Sequence, residues 1–375
     1  RRPLPKERGA KERAHQSFPP VPLRSNLGLM LHDAAQDESM TTHNRHWILA
    51  NRPIGNGYAE AFALREEPMP VAGGGQIVIA NKVLSMDSGT RMYMTDREDS
   101  YQPGTPLGAK LIGTVLGVVT ESRHPAYKAG DRVRCYGQWA DYSLVDPTTT
   151  YCTKLDDAHA DLKDYVGIYG ANGWTAYVGV VETGAAKAGE TFVVSAAAGC
   201  TGIMAGQIAK ALGCRVIGIA GGAAKCALLT SEYGFDAAID YKAANVEADL
   251  ARLCPEGIDV YFDNVGGEIL DAALANMALF GRVAVCGLIT NYIAQGPVPG
   301  PYRFDQVLMK RLRIEGFFSP DFYAREPAFN PELARLAAAG KLRLPFEVSA
   351  GLEATPEAFT KLFTGANIGK VVVEL

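Results

Sequence analysis

The chain has 375 residues, 47% hydrophobic and 21% charged, with a formal net charge of −4. That balance describes a globular protein long enough for two domains, and it argues against nucleic acid or an anionic membrane surface as partner. None of the seven cysteines sits in a C-x-x-C pair, which argues against a zinc ribbon or a thioredoxin-like site. Free thiols in a reducing cytoplasm are the expectation.

Residues 1–39 are rich in proline and charge, show no steady period and carry no apolar secretory core, so they read as a disordered or non-native extension, with Met40 as a natural start. From Trp47 to about Leu162 the pattern is of short strands between turns: QIVIANKVLS (76–85), GTVLGVVTE (113–121), RVRCYG (132–137) and ADYSLVD (140–146). These predict a compact β-barrel-like domain. The uncharged run from Thr191 to Ala209 is interrupted by Gly, Ser, Thr and Gln, and reads as strand, glycine loop and helix rather than as a membrane span.

After about Tyr165 strands alternate with helices. TFVVSA (191–196) is a strand, TGIMAGQIAKALG (201–213) a helix, RVIGIAG (215–221) a strand and KCALLTSEYG (225–234) a helix; AAIDY, ADLARLC and GIDVYFDNVGG continue the series, and RVAVCGL (282–288) and RIEGFF (313–318) add strands. This alternation predicts a doubly wound parallel sheet. A helix is expected from about Pro331, around ELARLAAAGKL, and the chain ends in the strand GKVVVEL.

The loop SAAAGCTG (195–202) places Ala197, Gly199 and Gly202 at A-x-G-x-x-G spacing between a strand and a helix. Such a loop lets a pyrophosphate approach the backbone at a helix N-terminus. An acid is expected after the second strand, to hold the ribose of NAD. Gly221 and Gly222 stand there instead, followed by Lys225, an arrangement that suits the 2′-phosphate of NADP; the alternative is a solvated lysine in a first helical turn. His43, His46, His124 and His159 are the histidines after Met40, and none lies in a catalytic zinc pattern. No metal site is expected. Hydride transfer without a Lewis acid favours reduction of an already electrophilic small molecule.

Together SAAAGCTGIMAGQIAKALGCRVIGIAGG, GFDAAIDYK, DVYFDNVGGEILD, RVAVCGLITNY and GANIGKVVVEL resemble the zinc-independent medium-chain dehydrogenase/reductases, in particular the prostaglandin/leukotriene reductases, plant double-bond reductases and curcumin-type reductases. The resemblance implies an α/β protein with a GroES-like β-rich domain (40–168 and 332–375) and a Rossmann NADP-binding domain (169–331). It implies NADPH as cofactor, with Ala197, Gly199, Cys200, Thr201 and Gly202 at the pyrophosphate and Gly221, Lys225 and Tyr241 at the adenosine phosphate. Asn264, Cys286, Gly287 and Leu288 line the nicotinamide half, Phe317 and Phe318 lie beside the cofactor, and Asn367 closes over it. It also implies a homodimer and, at Tyr292, a tyrosine serving the reacting carbonyl.

In such chemistry hydride goes to the β-carbon of an enone, and a phenol stabilises the enolate oxygen as a hydrogen-bond donor. SMDSGTRMYM and YGANGWTAY depart from the family, so Gly89, Tyr93 and Trp174, with Tyr292, are expected to give a reshaped substrate pocket. Two other readings stay open: a zinc-free NADPH quinone oxidoreductase, and a non-catalytic NADPH-binding relative.

Overall fold

The computed structural model describes residues 43–96, 103–156, 161–296 and 298–375; the extension expected over 1–39 lies outside them. The described chain opens with an antiparallel pair, β1 (His43–Leu49) and β2 (Phe62–Pro68). β3 (Ile77–Ser85), β4 (Ile112–Ser122), β5 (Arg132–Gln138), β6 (Tyr142–Val145) and β7 (Cys152–Lys154) follow, then α1 (Ala171–Tyr177), which runs into a π-helical turn over Val178–Thr183.

Next come β8 (Thr191–Ser195), α2 (Cys200–Ala211), β9 (Arg215–Ala220), α3 (Ala223–Ser231), β10 (Ala237–Asp240), α4 (Val246–Leu253), β11 (Ile258–Asp263), α5 (Gly267–Asn276) and β12 (Met277–Val285). Two short helices, α6 (Ile289–Ile293) and α7 (Asp305–Met309), precede β13 (Arg313–Gly316). The chain closes with α8 (Glu326–Ala338), β14 (Phe346–Ala350), α9 (Thr355–Thr364) and β15 (Lys370–Glu374).

Six strands form one parallel sheet in the order β10-β9-β8-β11-β12-β13. This is the doubly wound order, whose direction reverses between β8 and β11. β8, buried along most of its length, and β11 read as near-continuous apolar runs because helices cover both faces of such a sheet. The second sheet runs β14-β15-β3-β4-β5-β7, with β6 also on β3. β15 pairs antiparallel with β3, so the end of the chain returns to the β-rich part. Its core gathers Ile77, Ile79, Leu84 and Val115, all buried, around an aromatic cluster of Tyr58, Phe62, Trp139 and Phe359. Burying each such aliphatic side chain stabilises the fold by about 1.5–3 kcal/mol.

The helix expected from about Pro331 begins earlier, at Glu326, and holds Pro331 in its interior. Pro327 in the first turn costs nothing, because that N–H has no intrahelical acceptor. Four residues later Pro331 has no N–H to donate to the Pro327 carbonyl, so the helix loses that one hydrogen bond and continues.

Candidate active site

The loops that follow β8 and β11 part at the point where strand order reverses, the usual mouth for a ligand in such sheets. There a cleft of about 1530 Å³ opens, lined by residues of both sheets. Of the residues singled out from the sequence, Gly199, Cys200, Thr201, Gly202, Gly221, Lys225 and Tyr241 line one end, and Asn264, Cys286, Gly287, Leu288 and Tyr292 line another part. Phe317, Phe318, Asn367, Gly89 and Tyr93 line it as well.

The glycine loop is shaped by backbone crowding. A Cβ on Gly202 would lie 2.4 Å from Ala196 O and 2.8 Å from Ala197 Cα, backbone atoms with no room to give. Gly199 is the N-cap of α2 and offers no side-chain cap, so the first N–H groups of this twelve-residue helix face the cleft with the positive end of its dipole. Ala197 itself does not line the cleft. It is fully buried, and its Cβ fills the space above Gly218, where an added Cβ would come within 2.9 Å. Its place in the motif is packing.

At the adenosine end, Lys225 Nζ donates to Gly365 O (2.8 Å) and Asn367 O (2.5 Å), tying α3 to the loop before β15. Burial, and then the neighbouring Lys242, hold its ammonium below the usual lysine range. Lys242 is a cation that motif reading passed over. A Cβ on Gly221 would lie 2.9 Å from Tyr241 Cε1 and 3.0 Å from Lys242 Cε, so Gly221 is the residue over which these two side chains fold. Its signal was the DYK ending of the third strand.

The loops after β11 and β12 are knitted together. Thr290 Oγ1 donates to Val265 O at 2.6 Å, and Ile289 N to Asn264 O at 3.3 Å. Asn264 is pinned in turn: its Nδ2 donates to Ser195 O (2.7 Å), and Ser195 Oγ accepts from its N–H (2.9 Å). Beneath them lies Asp263, fully buried, whose Oδ1 accepts from Ser195, Tyr261, Val265 and Gly266. Burial raises its carboxyl above the ordinary value despite these donors. Above this knot Tyr292 folds over its own helix, and its Oη accepts from Leu288 N at 3.1 Å. The thiols here are inert: burial pushes Cys200 up to about 12, and burial beside Asp263 pushes Cys286 well above the thiol range.

The facing wall is the 3₁₀ segment Ser88–Met94, which packs against α6. It is anchored by a pair that sequence reading also passed over. Lys370 Nζ, nearly fully buried, donates to Asp87 Oδ1 (2.6 Å) and Met86 O (3.0 Å). Burial opposes the Asp87 charge, but Lys370, Ser85 and Asn172 together hold its carboxyl below the usual range. One residue before Lys370, Gly369 bridges to Gly199, so the pair links the glycine loop to the substrate-side wall.

Trp174 corrects an expectation. It is buried behind the cleft, its Nε1 donating to Asn330 Oδ1 at 2.8 Å and its ring lying 4.7 Å from the Arg134 guanidinium. A buried indole N–H needs an acceptor, and α8 supplies it. The cleft receives Tyr151 and Tyr323 instead, rings 4.6 Å apart, with Tyr151 Oη accepting from Arg134 at 2.7 Å. Among the described residues no group of three or more His, Cys, Asp or Glu is arranged to hold a metal ion, and no helix is long and apolar enough to cross a membrane.

Comparison with known proteins agrees with this architecture. Residues 45–152 match the N-terminal domain of oxidoreductase, and residues 200–337 match a domain described as zinc-binding dehydrogenase. The chain is 40% identical to the NADPH-dependent curcumin reductase of Escherichia coli over 88% of its length and 97% of the relative's. It is 42% identical to a 2-alkenal reductase (NADP(+)-dependent) of Nicotiana tabacum, over 80% of this chain and 88% of that one. The crystal structure of CurA from Vibrio vulnificus in complex with NADPH superposes with a TM-score of 0.83 at 37% identity, covering 88% of this chain and 98% of that one. With the doubly wound sheet, the glycine loop and the DNVGG turn all in place, the chain belongs to the zinc-independent medium-chain dehydrogenase/reductases, in the group of double-bond reductases.

Proposed function

We propose that this protein reduces the carbon–carbon double bond of α,β-unsaturated carbonyl compounds with NADPH. The observation that carries the reading is one continuous cleft that joins an uncapped glycine-loop helix, a lysine-flanked glycine in place of a ribose-binding acid, and a tyrosine hydroxyl. The relatives named curcumin reductase and 2-alkenal reductase support it.

The residues fit the cofactor. The loop that a Cβ at Gly202 would fill is a cradle for pyrophosphate, and the free N–H groups of α2 suit its charge. Lys225 and Lys242 flank Gly221 with positive charge for a 2′-phosphate. Asn264, fixed by Ser195, and the Cys286–Leu288 backbone form the wall for the nicotinamide. Bound NADPH supplies the hydride.

The chain's own contribution is positioning and charge stabilisation. Tyr292 donates its hydroxyl proton as a hydrogen bond to the substrate carbonyl oxygen, where negative charge gathers as the β-carbon is reduced. The Leu288 N–H already donates to Tyr292 Oη, which polarises the O–H and strengthens it as a donor. The Ser88–Met94 wall closes the other side of the substrate.

The test follows NADPH absorbance, with chelator present, against an enone, a quinone and a saturated ketone. Consumption with the enone is expected, with kcat lowered about 100-fold in Tyr292→Phe, the cost of losing one oxyanion donor. Turnover confined to the quinone and indifferent to the substitution would overturn the reading.

Two finer features belong to the same proposal. β13 ends the parallel sheet with all four residues exposed, beside exposed Leu279 and Phe280, and an open edge of this kind supports pairing of two copies into a homodimer. Seven free cysteines support a cytoplasmic setting. A monomeric mass by light scattering would remove the dimer.

A further inference from the structure

Outside the reductase machinery, two cysteines face one another across a strand pair. Cys135 on β5 and Cys152 on β7 are register partners in an antiparallel ladder. The ladder bonds run from Tyr136 N to Tyr151 O and from Leu155 N to Arg132 O, both 2.9 Å. With hydrogen-bonded positions at 136/151 and 132/155, the pair 135/152 falls on a non-hydrogen-bonded site. Facing Cα atoms there lie about 4.5 Å apart and the side chains are at their closest. A disulfide spans Cα separations of about 4.4–6.8 Å, so this site can be bridged without moving the backbone.

Both cysteines are free. Cys135 is buried in the β-rich core, while Cys152 is half-buried. We propose that Cys135 and Cys152 are an oxidisable dithiol, a modification site at which a hydroperoxide closes a cross-strand disulfide. The proposal does not rest on the reductase reading.

The division of labour is built in. The neighbouring Cys135 and Tyr127 lower the Cys152 thiol against its burial, whereas Cys135 is pushed up by the facing Cys152 and by burial. Cys152 is therefore the thiolate that attacks. Its sulfur takes the terminal peroxide oxygen, the O–O bond breaks, and water or an alcohol leaves with a proton, giving a sulfenic acid. The Cys135 sulfur then attacks the Cys152 sulfur, the S–O bond breaks, and water leaves with the Cys135 proton. Two thiols are oxidised to one disulfide, and the peroxide is reduced. The bond fastens β5 to β7 next to Tyr136 and Tyr151, which both line the cleft.

The test exposes the full chain to hydrogen peroxide, blocks remaining thiols with iodoacetamide, denatures, and digests without reductant. A linked peptide pair joining Cys135 to Cys152, two hydrogens lighter than its parts and split by dithiothreitol, is expected. Cys135→Ala should instead stall Cys152 as a sulfenic acid that dimedone traps. Alkylation of both residues in the oxidised protein, a Cys152 sulfinic acid with Cys135 still alkylated, or a link to any other cysteine would overturn the proposal.

Discussion

The cleft's two walls are assembled in different ways. On the sheet side the features are built from short loops at strand ends: the glycine loop from 195–202, the Asn264 turn from 263–267, and the adenosine end from the loops 221–225 and 241–242. On the facing side each feature joins distant stretches. Asp87 meets Lys370, and Arg134 meets Glu326 at 2.6 Å while Asn330 of the same helix takes the Trp174 indole. A wall made of local backbone geometry tolerates no extra atom, whereas a wall made of long-range pairs fails when one partner is lost.

The largest expected effect breaks the first wall. Gly202→Ala sets a Cβ against Ala196 O at 2.4 Å, and NADPH Kd by fluorescence titration should rise at least about 100-fold, roughly 3 kcal/mol. An unchanged Kd would show that the loop can yield. The second wall should fail through stability instead. Arg134 is almost wholly buried and Glu326 largely so, and Glu326→Leu leaves that guanidinium without its carboxylate. Losing one partner of such a pair costs about 3 kcal/mol, read as a lower urea midpoint, with NADPH binding little altered.

A smaller effect sharpens the adenosine end. Lys225→Ala should weaken NADPH but not NADH by about 10- to 100-fold, the value of a hydrogen bond to a charged group. Because the Lys225 ammonium is held below the usual lysine range, its charge is present at lower pH and is lost as pH rises through that lowered value. NADPH affinity should therefore fall with rising pH on the alkaline side of neutrality in the wild type. It should stay flat in Lys225→Ala, checked by titrations at several pH values. The smallest effect concerns Gly89, where a new Cβ meets only Met92 Cε at 3.8 Å. Gly89→Tyr should fold normally and raise KM for a bulky aryl enone about 5-fold, near 1 kcal/mol, with little change for a short enone.

The same contrast explains what the sequence made legible. Alternating strands and helices made the doubly wound sheet legible, and the A-x-G-x-x-G spacing the glycine loop whose Gly199 and Gly202 line the cleft, because glycine positions and strand periods are local signals. Lys242 went unread, although it directly follows Tyr241. Asp87 and Lys370 were each in view, in SMDSGT and GANIGK, but their pairing spans nearly the whole β-rich part of the chain and leaves no local trace. Trp174 was misplaced for a related reason. Its place in YGANGWTAY, a stretch that departs from the family, suggested a pocket residue, while its orientation is set by an acceptor on a helix 156 residues away.

The account's central claim is that hydride reaches the β-carbon of an enone in this cleft. NADPH carrying deuterium at the nicotinamide C4, incubated with the enzyme and an enone, tests it by NMR of the product. The account predicts deuterium at the carbon β to an intact carbonyl. Deuterium on the carbonyl carbon, as in an allylic alcohol, would contradict it.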